Sequence, residues 1–175
     1  MAEKNNETVQ KYLLFDTNIV QYLTSEKVGL LLFQYLCPIF SSFMPAISQI
    51  TLCEHLSGLN ANDEKSKQYI YNYDYFLVDT PTLVGAARLQ NLYKKECKEV
   101  RNIDLGDRLI AATSIIHNMP VVTANVQDFP RPFFREIDSY TIEYEHNGKK
   151  KYQNIQILHP DLVFINNKLS EHGYT

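Results

Sequence analysis

The run Tyr12-Leu13-Leu14-Phe15 is short, wholly apolar and ends abruptly at Asp16. Too brief for a helix and without polar alternation, it reads as a strand buried on both faces. Val121-Val122-Thr123-Ala124 repeats the pattern and ends at Asn125. Between the two lie helical stretches. Ser48 can cap a helix through Gly58, with Ile47 and Leu52 as a hydrophobic staple and Ile50, Cys53 and Leu56 on an apolar stripe. Asp63 to about Tyr75 reads as a polar helix, and Phe76-Leu77-Val78 as another short buried strand. Pro81 opens a long helix with Leu83, Ala86, Ala87, Leu89 and Leu92 inward. Asp104 starts a further one with Leu105, Leu109, Ala112 and Ile116 at helical spacing and Pro120 just past its end. Short buried strands separated by helices imply a mainly parallel sheet between helical layers, because parallel neighbours need crossover connections. The fold class is α/β.

Past Phe129 the pattern changes. Tyr140–His146 and Lys149–Ile157 alternate around Asn147-Gly148, a dipeptide suited to a type I′ turn, which predicts a β-hairpin with Glu145 opposite Lys150. Pro160 and Asp161 begin a terminal helix carrying Leu162, Val163, Ile165 and Leu169, stopped by Gly173. With 175 residues, 45% of them hydrophobic, and no linker or repeat, the chain reads as one domain: a core over about residues 11–130 and a hairpin-and-helix extension over about 139–175.

Asp16 and Asn125 each follow a strand directly, which puts both at the carboxyl edge of the sheet, where ligands collect in open parallel sheets. Asp104 and Asp107 stand in the first turn of the helix that leads into the second strand. They reach the same edge if the two helices from Pro81 and Asp104 together form one return path. Glu54, placed beside an apolar stripe, is read as leaning inward and needing a partner. Carboxylates converging there would hold Mg²⁺ or Mn²⁺, since hard cations take oxygen ligands, and such an ion suits phosphodiester hydrolysis. Each acid also has a plainer role. Asp104 and Asp107 fit a cap and a helix dipole, Asp16 an Asx cap, Glu54 a solvated helix rim, and Asp128 a turn before Phe129-Pro130.

Four blocks carry a resemblance to a known family: Leu13-Leu14-Phe15-Asp16-Thr17-Asn18; Ile47 to Glu54 with Gly58; Asp104-Leu105-Gly106-Asp107-Arg108-Leu109-Ile110-Ala111-Ala112; and Val121 to Phe129. In this order they resemble the PIN domain, especially the VapC-like toxins of bacterial toxin-antitoxin modules. The resemblance implies a PIN-like α/β/α sandwich and a metal-dependent endoribonuclease. Asp16, Glu54 and Asp107 would bind metal, with Asn125 as a polar aligner, Asp128 as an outer ligand and Asp104 as an accessory. Thr17, Asn18 and Thr123 would orient the acids. It further implies an RNA substrate, a cognate antitoxin and a homodimer. The hairpin and terminal helix exceed the family's usual short ending.

Charge and cysteines bound the setting. Seventeen Lys and Arg against twenty Asp and Glu give a net charge of -3, so RNA must be held by a local patch. Candidates are Lys94, Lys95, Lys98 and Arg101 near one helix end, with Arg88, Lys95 and Arg101 proposed for phosphate contact. Lys149, Lys150 and Lys151 at the hairpin tip read slightly better as a charged edge strand that discourages aggregation. Tyr69, Tyr71, Tyr73 and Tyr75 crowd one segment and suit packing more than base stacking. Cys37, Cys53 and Cys97 show no C-x-x-C spacing, which argues against zinc and against a disulfide scaffold. With a polar Met1–Gln10 and no apolar run near the roughly 18 residues of a membrane span, the expectation is a cytoplasmic protein with reduced thiols and no membrane contact. Two further classes fit less well. One is a PIN-like binding or assembly module without catalysis, against which the intact Asp16, Glu54 and Asp107 argue. The other is an aspartyl-phosphate protein, disfavoured because Asn18 stands where such phosphatases carry a second Asp.

Overall fold

Leu13 and Phe15 point to one side of the sheet and Leu14 to the other, and all three are fully buried, so the first strand needs helices on both faces. The computed structural model describes residues 10–58, 64, 68, 71–97 and 102–174 and supplies those helices. In chain order the elements are β1 (Tyr12–Phe15), α1 (Thr17–Leu23), α2 (Gly29–Leu36), β2 (Met44–Ser48), α3 (Gln49–Ser57) and β3 (Asp74–Phe76). There follow α4 (Thr80–Glu96), α5 (Leu105–Ile116), β4 (Val121–Thr123), β5 (Phe134–His146), β6 (Lys149–Pro160) and α6 (Leu162–Glu171).

One six-stranded sheet has the order β3-β2-β1-β4-β6-β5. β1, β2, β3 and β4 are parallel, whereas β6 runs antiparallel to β4 and β5 antiparallel to β6. α4, α5 and α6 cover one face around Leu14, Val121 and Leu158, and α1 and α2 cover the other around Leu13, Phe15, Val122 and Ile157. α4 and α5 together carry the chain from β3 across to β4, so α5 begins at the carboxyl edge. Tyr93 of α4, Phe133 and Phe164 of α6 interlock edge to face, with ring centroids 4.8 and 5.2 Å apart.

The hairpin follows from its turn. Asn147 and Gly148 both have positive φ, 53° and 70°, as a type I′ turn requires, and Glu145 pairs with Lys150. The strands run further than alternation alone indicates, because Phe134 and Pro160 close the ladder with buried side chains.

Several expectations need correction. α1 is not anticipated from the residues after Asp16, and α2 and β2 are not legible in the apolar stretch that holds them. β3 occupies Asp74–Phe76 rather than Phe76–Val78, so no helix reaches Tyr75, while Asp63 and Tyr69 lie outside the described residues. Leu83 and Ala87 of α4 face solvent, and its buried face is Thr82, Ala86, Leu89, Leu92 and Tyr93. Leu105 and Ile116 of α5, and Val163 of α6, are likewise exposed. On α3 the buried residues are Thr51 and His55, not Cys53. None of the helices is long and apolar enough to cross a membrane, among the described residues.

Ile142 and Ile155 place the hairpin in the same core as β1 and α1. Ile142→Ala is therefore expected to lower the unfolding free energy by about 2–5 kcal/mol in a single cooperative urea transition. Two separate transitions would show the extension to be an independent unit.

Candidate metal centre

The site begins where β1 stops. Asp16 caps α1, is 2% exposed, and has both carboxylate oxygens engaged. Oδ1 accepts from the Thr17 amide at 2.7 Å. Oδ2 accepts from the Thr123 hydroxyl at 2.6 Å and from the Asn18 amide at 2.5 Å. Asn18 in turn accepts from the Ala124 amide at 3.0 Å, and the Asn125 amide donates to the Thr123 hydroxyl at 2.9 Å. The ends of β1 and β4 are thus tied together through polar side chains, as buried polar groups require. Burial pushes the Asp16 carboxyl above its ordinary value, against the pull of its three donors.

Thr17 also faces α3. Its hydroxyl donates to Glu54 Oε2, and the buried Thr51 hydroxyl lies 3.5 Å away while approaching the Phe15 carbonyl at 3.4 Å. Glu54 is exposed rather than inward-leaning, because α3 turns Thr51 and His55 to the interior. Its other oxygen, Oε1, lies against the backbone of α5 at Gly106: a Cβ on Gly106 would stand 2.5 Å from it. Thr51 and Gly106 were not singled out from the sequence. The usable signals were a hydroxyl three residues before Glu54 and a glycine inside the Asp104–Asp107 turn.

Asp104 caps α5 by accepting from the Gly106 amide at 3.0 Å and is exposed. Asp107, half-buried one turn further, has its carboxyl pushed up to about 7, first by burial and then by Asp128, Asp16, Glu54 and Asp104. Asp128 sits in a single 3-10 turn, Val126–Asp128, where its carboxyl meets that of Asp107 and accepts from the Asn125 amide side chain. Burial raises the Asp128 carboxyl as well. Asp16, Thr17, Asn18, Glu54, Asp104, Asp107, Thr123, Asn125 and Asp128 therefore share the carboxyl edge. Arg88 and Lys95 do not join them: their charged ends lie over the Tyr174 ring, 5.5 and 5.9 Å from its centre. Lys95 also meets His172 at 3.3 Å. Arg101 and Lys98 lie outside the described residues.

The sequence profile of the PIN domain matches residues 13–132, the stretch that contains all of these acids. The chain belongs to the PIN domain family. A ribonuclease VapC of Rickettsia bellii (strain RML369-C) is 30% identical over 130 residues, spanning 68% of this chain and 89% of that protein. Two solved structures share the fold. One is VapBC2 from Rickettsia felis bound to a promoter DNA fragment, with TM-score 0.57, 20% identity and 69% of this chain and 93% of that chain covered. The other is a toxin-antitoxin complex from Klebsiella pneumoniae, with TM-score 0.53, 22% identity and 69% and 92% covered.

PIN ribonucleases generally depend on divalent metal ions, and the donor set here fits one. Every donor is a hard oxygen, and the charges acting most strongly on Asp107 are four other carboxylates, a deficit that a divalent cation offsets. Among the described residues no three Asp, Glu, His or Cys side chains converge closely enough to share an ion. Glu54 is turned toward Thr17 and Gly106, so the PIN edge is an electrostatic deficit rather than a finished coordination sphere.

Two outcomes follow from this packing. Gly106→Ala improves helix propensity by about 1 kcal/mol yet displaces the Glu54 carboxylate. It is expected to leave thermal stability unchanged or raised while weakening Mn²⁺ binding in calorimetry; unaltered binding would show that Glu54 has room to move. Asp16, Asp107 and Asp128 all hold protons more tightly folded than unfolded. Stability from them is therefore present below their unfolded pKa values, near 4, and is lost as pH rises through their raised values, which for Asp107 is about 7. In EDTA the melting temperature should fall across that window, and Asp107→Asn should flatten the fall.

Proposed function

We propose that this chain is a metal-dependent endoribonuclease, the toxin of a toxin-antitoxin pair, cutting RNA phosphodiester bonds in the cytoplasm. The observation that carries the reading is the half-buried Asp107 set among Asp16, Glu54, Asp104 and Asp128 at the carboxyl edge of a PIN sheet. The relative named ribonuclease VapC supports the activity. The likeness to structures of toxin-antitoxin complexes supports a cognate antitoxin as partner.

In this reading Asp16, Glu54 and Asp107 would hold Mg²⁺ or Mn²⁺, with Asp128 and Asp104 outside them and Asn125 aligning Asp128. Such an ion would supply an activated water and offset the charge that develops on the phosphate. The chain's own groups fix its ligands. Thr123 and Asn18 orient Asp16, and Thr17 orients Glu54 by a hydrogen bond from its hydroxyl. Asp107 must lose its proton to bind, so ion affinity rises with pH through about 7. An antitoxin that covers this edge would keep RNA from the acids. A homodimer is part of the proposal, and solution mass by light scattering checks it.

The deciding experiment is cleavage of total RNA by the purified protein in Mg²⁺ or Mn²⁺. Cutting is expected, abolished by EDTA and by Asp107→Asn, and Thr17→Val should cost roughly 10–100-fold in metal affinity or rate. A wild type that binds neither ion and leaves every RNA intact would sink the nuclease and favour a binding module on the same fold.

A further inference from the structure

The acids occupy one edge of the sheet, and a cleft of about 540 Å³ occupies the other. Lys11 and Tyr12 stand where β1 begins, Met119 and Pro120 where β4 begins, and His159 where the antiparallel β6 ends. Phe43, Phe76 and His117 add rings to its walls, and Gln10 and Asn118 add amide side chains. Ile137 and His159 come from the hairpin, beyond the stretch that the PIN profile matches, so the extension completes the cleft. β5 bulges at this point. Glu136 pairs with Leu158 and Asp138 with Ile157, which leaves Ile137 as the extra residue, 52% exposed. Bulges re-aim a side chain and recur beside binding sites.

The lining combines aromatic walls with uncommitted polar groups. Tyr12 and Phe76 meet edge to face at 5.2 Å, Phe76 lies 4.6 Å from the His117 ring, and Phe43 is half-buried. The His159 Nδ1 lies 3.0 Å from the Pro160 carbonyl, which only accepts, so Nδ1 carries the proton and Nε2 of the neutral ring is an acceptor. That nitrogen has no hydrogen-bond partner among the described residues. Lys11 is exposed and has no ion pair among them either.

No carboxylate lines the cleft. Of the acids around it, Asp138 accepts from the Tyr35 hydroxyl at 2.9 Å. Asp79, within electrostatic reach of His117, accepts from the Thr82 amide and hydroxyl at 3.0 and 2.7 Å. An adjoining hollow shares Asn118 and His159 and adds a second cation, Arg135, while its acid, Asp161, is committed to capping α6.

We infer that this cleft binds a nucleotide, with the base packed against Phe43 and Phe76, its edge on His159 and Asn118, and the phosphate on Lys11. Small-ligand sites have volumes of about 300–1,000 Å³ and apolar walls with a few convergent polar groups, which describes this one. The walls select a flat ring, and an unpaired ammonium with no carboxylate in the lining selects an anion. A base edge also supplies the N–H donor that His159 Nε2 lacks. Nothing at the acidic edge enters the inference, so it stands or falls apart from the nuclease reading. A free mononucleotide and the 5′-phosphorylated end of an RNA strand share this chemistry.

The test is calorimetric titration of the full chain with adenosine 5′-monophosphate in EDTA, so that the acidic edge holds no ion and repels phosphate. Saturable binding is expected. Lys11→Ala should weaken it roughly tenfold, whereas adenosine, which lacks the phosphate, should bind wild type and Lys11→Ala alike. Ile137→Trp, at an exposed position, should fill the cleft and abolish binding with the melting temperature of the free protein unchanged. A short RNA with and without a 5′ phosphate separates the two sources. Preference for the phosphorylated strand assigns the cleft to RNA ends, and binding of the mononucleotide alone assigns it to free nucleotides. No binding of adenosine monophosphate at millimolar concentration would overturn the inference. So would binding that neither Lys11→Ala nor Ile137→Trp alters.

Discussion

The Asp16 carboxylate does two jobs at one place. It closes α1 against the end of β1 through the Thr17 amide, and it joins β1 to β4 through Thr123 and Asn18. Without that junction the sheet edge where the other acids gather would have no fixed floor. A carboxylate 2% exposed is costly to bury, and its donors offset only part of the cost, since its proton affinity remains raised. The fold therefore holds a charge it does not fully neutralise.

The neighbouring acids deepen that deficit rather than relieve it. Glu54 arrives from α3, Asp104 and Asp107 from the start of α5, and Asp128 from the turn after β4. These are segments far apart in sequence, brought together because α4 and α5 form one crossover. The positive end of the α5 dipole favours Asp104 and Asp107 only modestly. Asp107, with four carboxylates acting on it and a carboxyl near 7, shows the imbalance most clearly. Acids assembled at such cost at a strand-end edge make sense when a cation completes them.

Much of this was readable in the chain itself. Tyr12–Phe15 has one reading only, because a four-residue apolar run ended by a charge cannot be half a helix. Asp104 and Asn147-Gly148 are local signals whose physics is complete within a few residues, and cap and turn stand as expected. α2 and β2 are hidden because residues 28–47 hold no charged side chain to mark which face is wet. The orientation of α3 is not legible for a related reason. Its buried face is Thr51 and His55, polar residues, and Thr51 is turned inward by its hydroxyl's approach to the Phe15 carbonyl at 3.4 Å rather than by hydrophobicity. Arg88 and Lys95 looked free for phosphate because nothing local reveals that Tyr174 folds back over them.

The antiparallel extension alters what the parallel core presents. With β6 in place, β4 is no longer an edge strand, and the exposed edge moves to β5, which carries Glu136, Asp138, Glu143 and Glu145. A second β5 laid against it would bring like charges together, which opposes edge-to-edge pairing. The same addition walls the acidic edge on one side and leaves its opposite side to α3 and α5. This separation of roles decides how the site is best probed. Substituting Asp16 disturbs the β1–β4 junction and the chemistry at once, whereas Asp107, anchored on α5, is absent from that junction and leaves its hydrogen bonds in place.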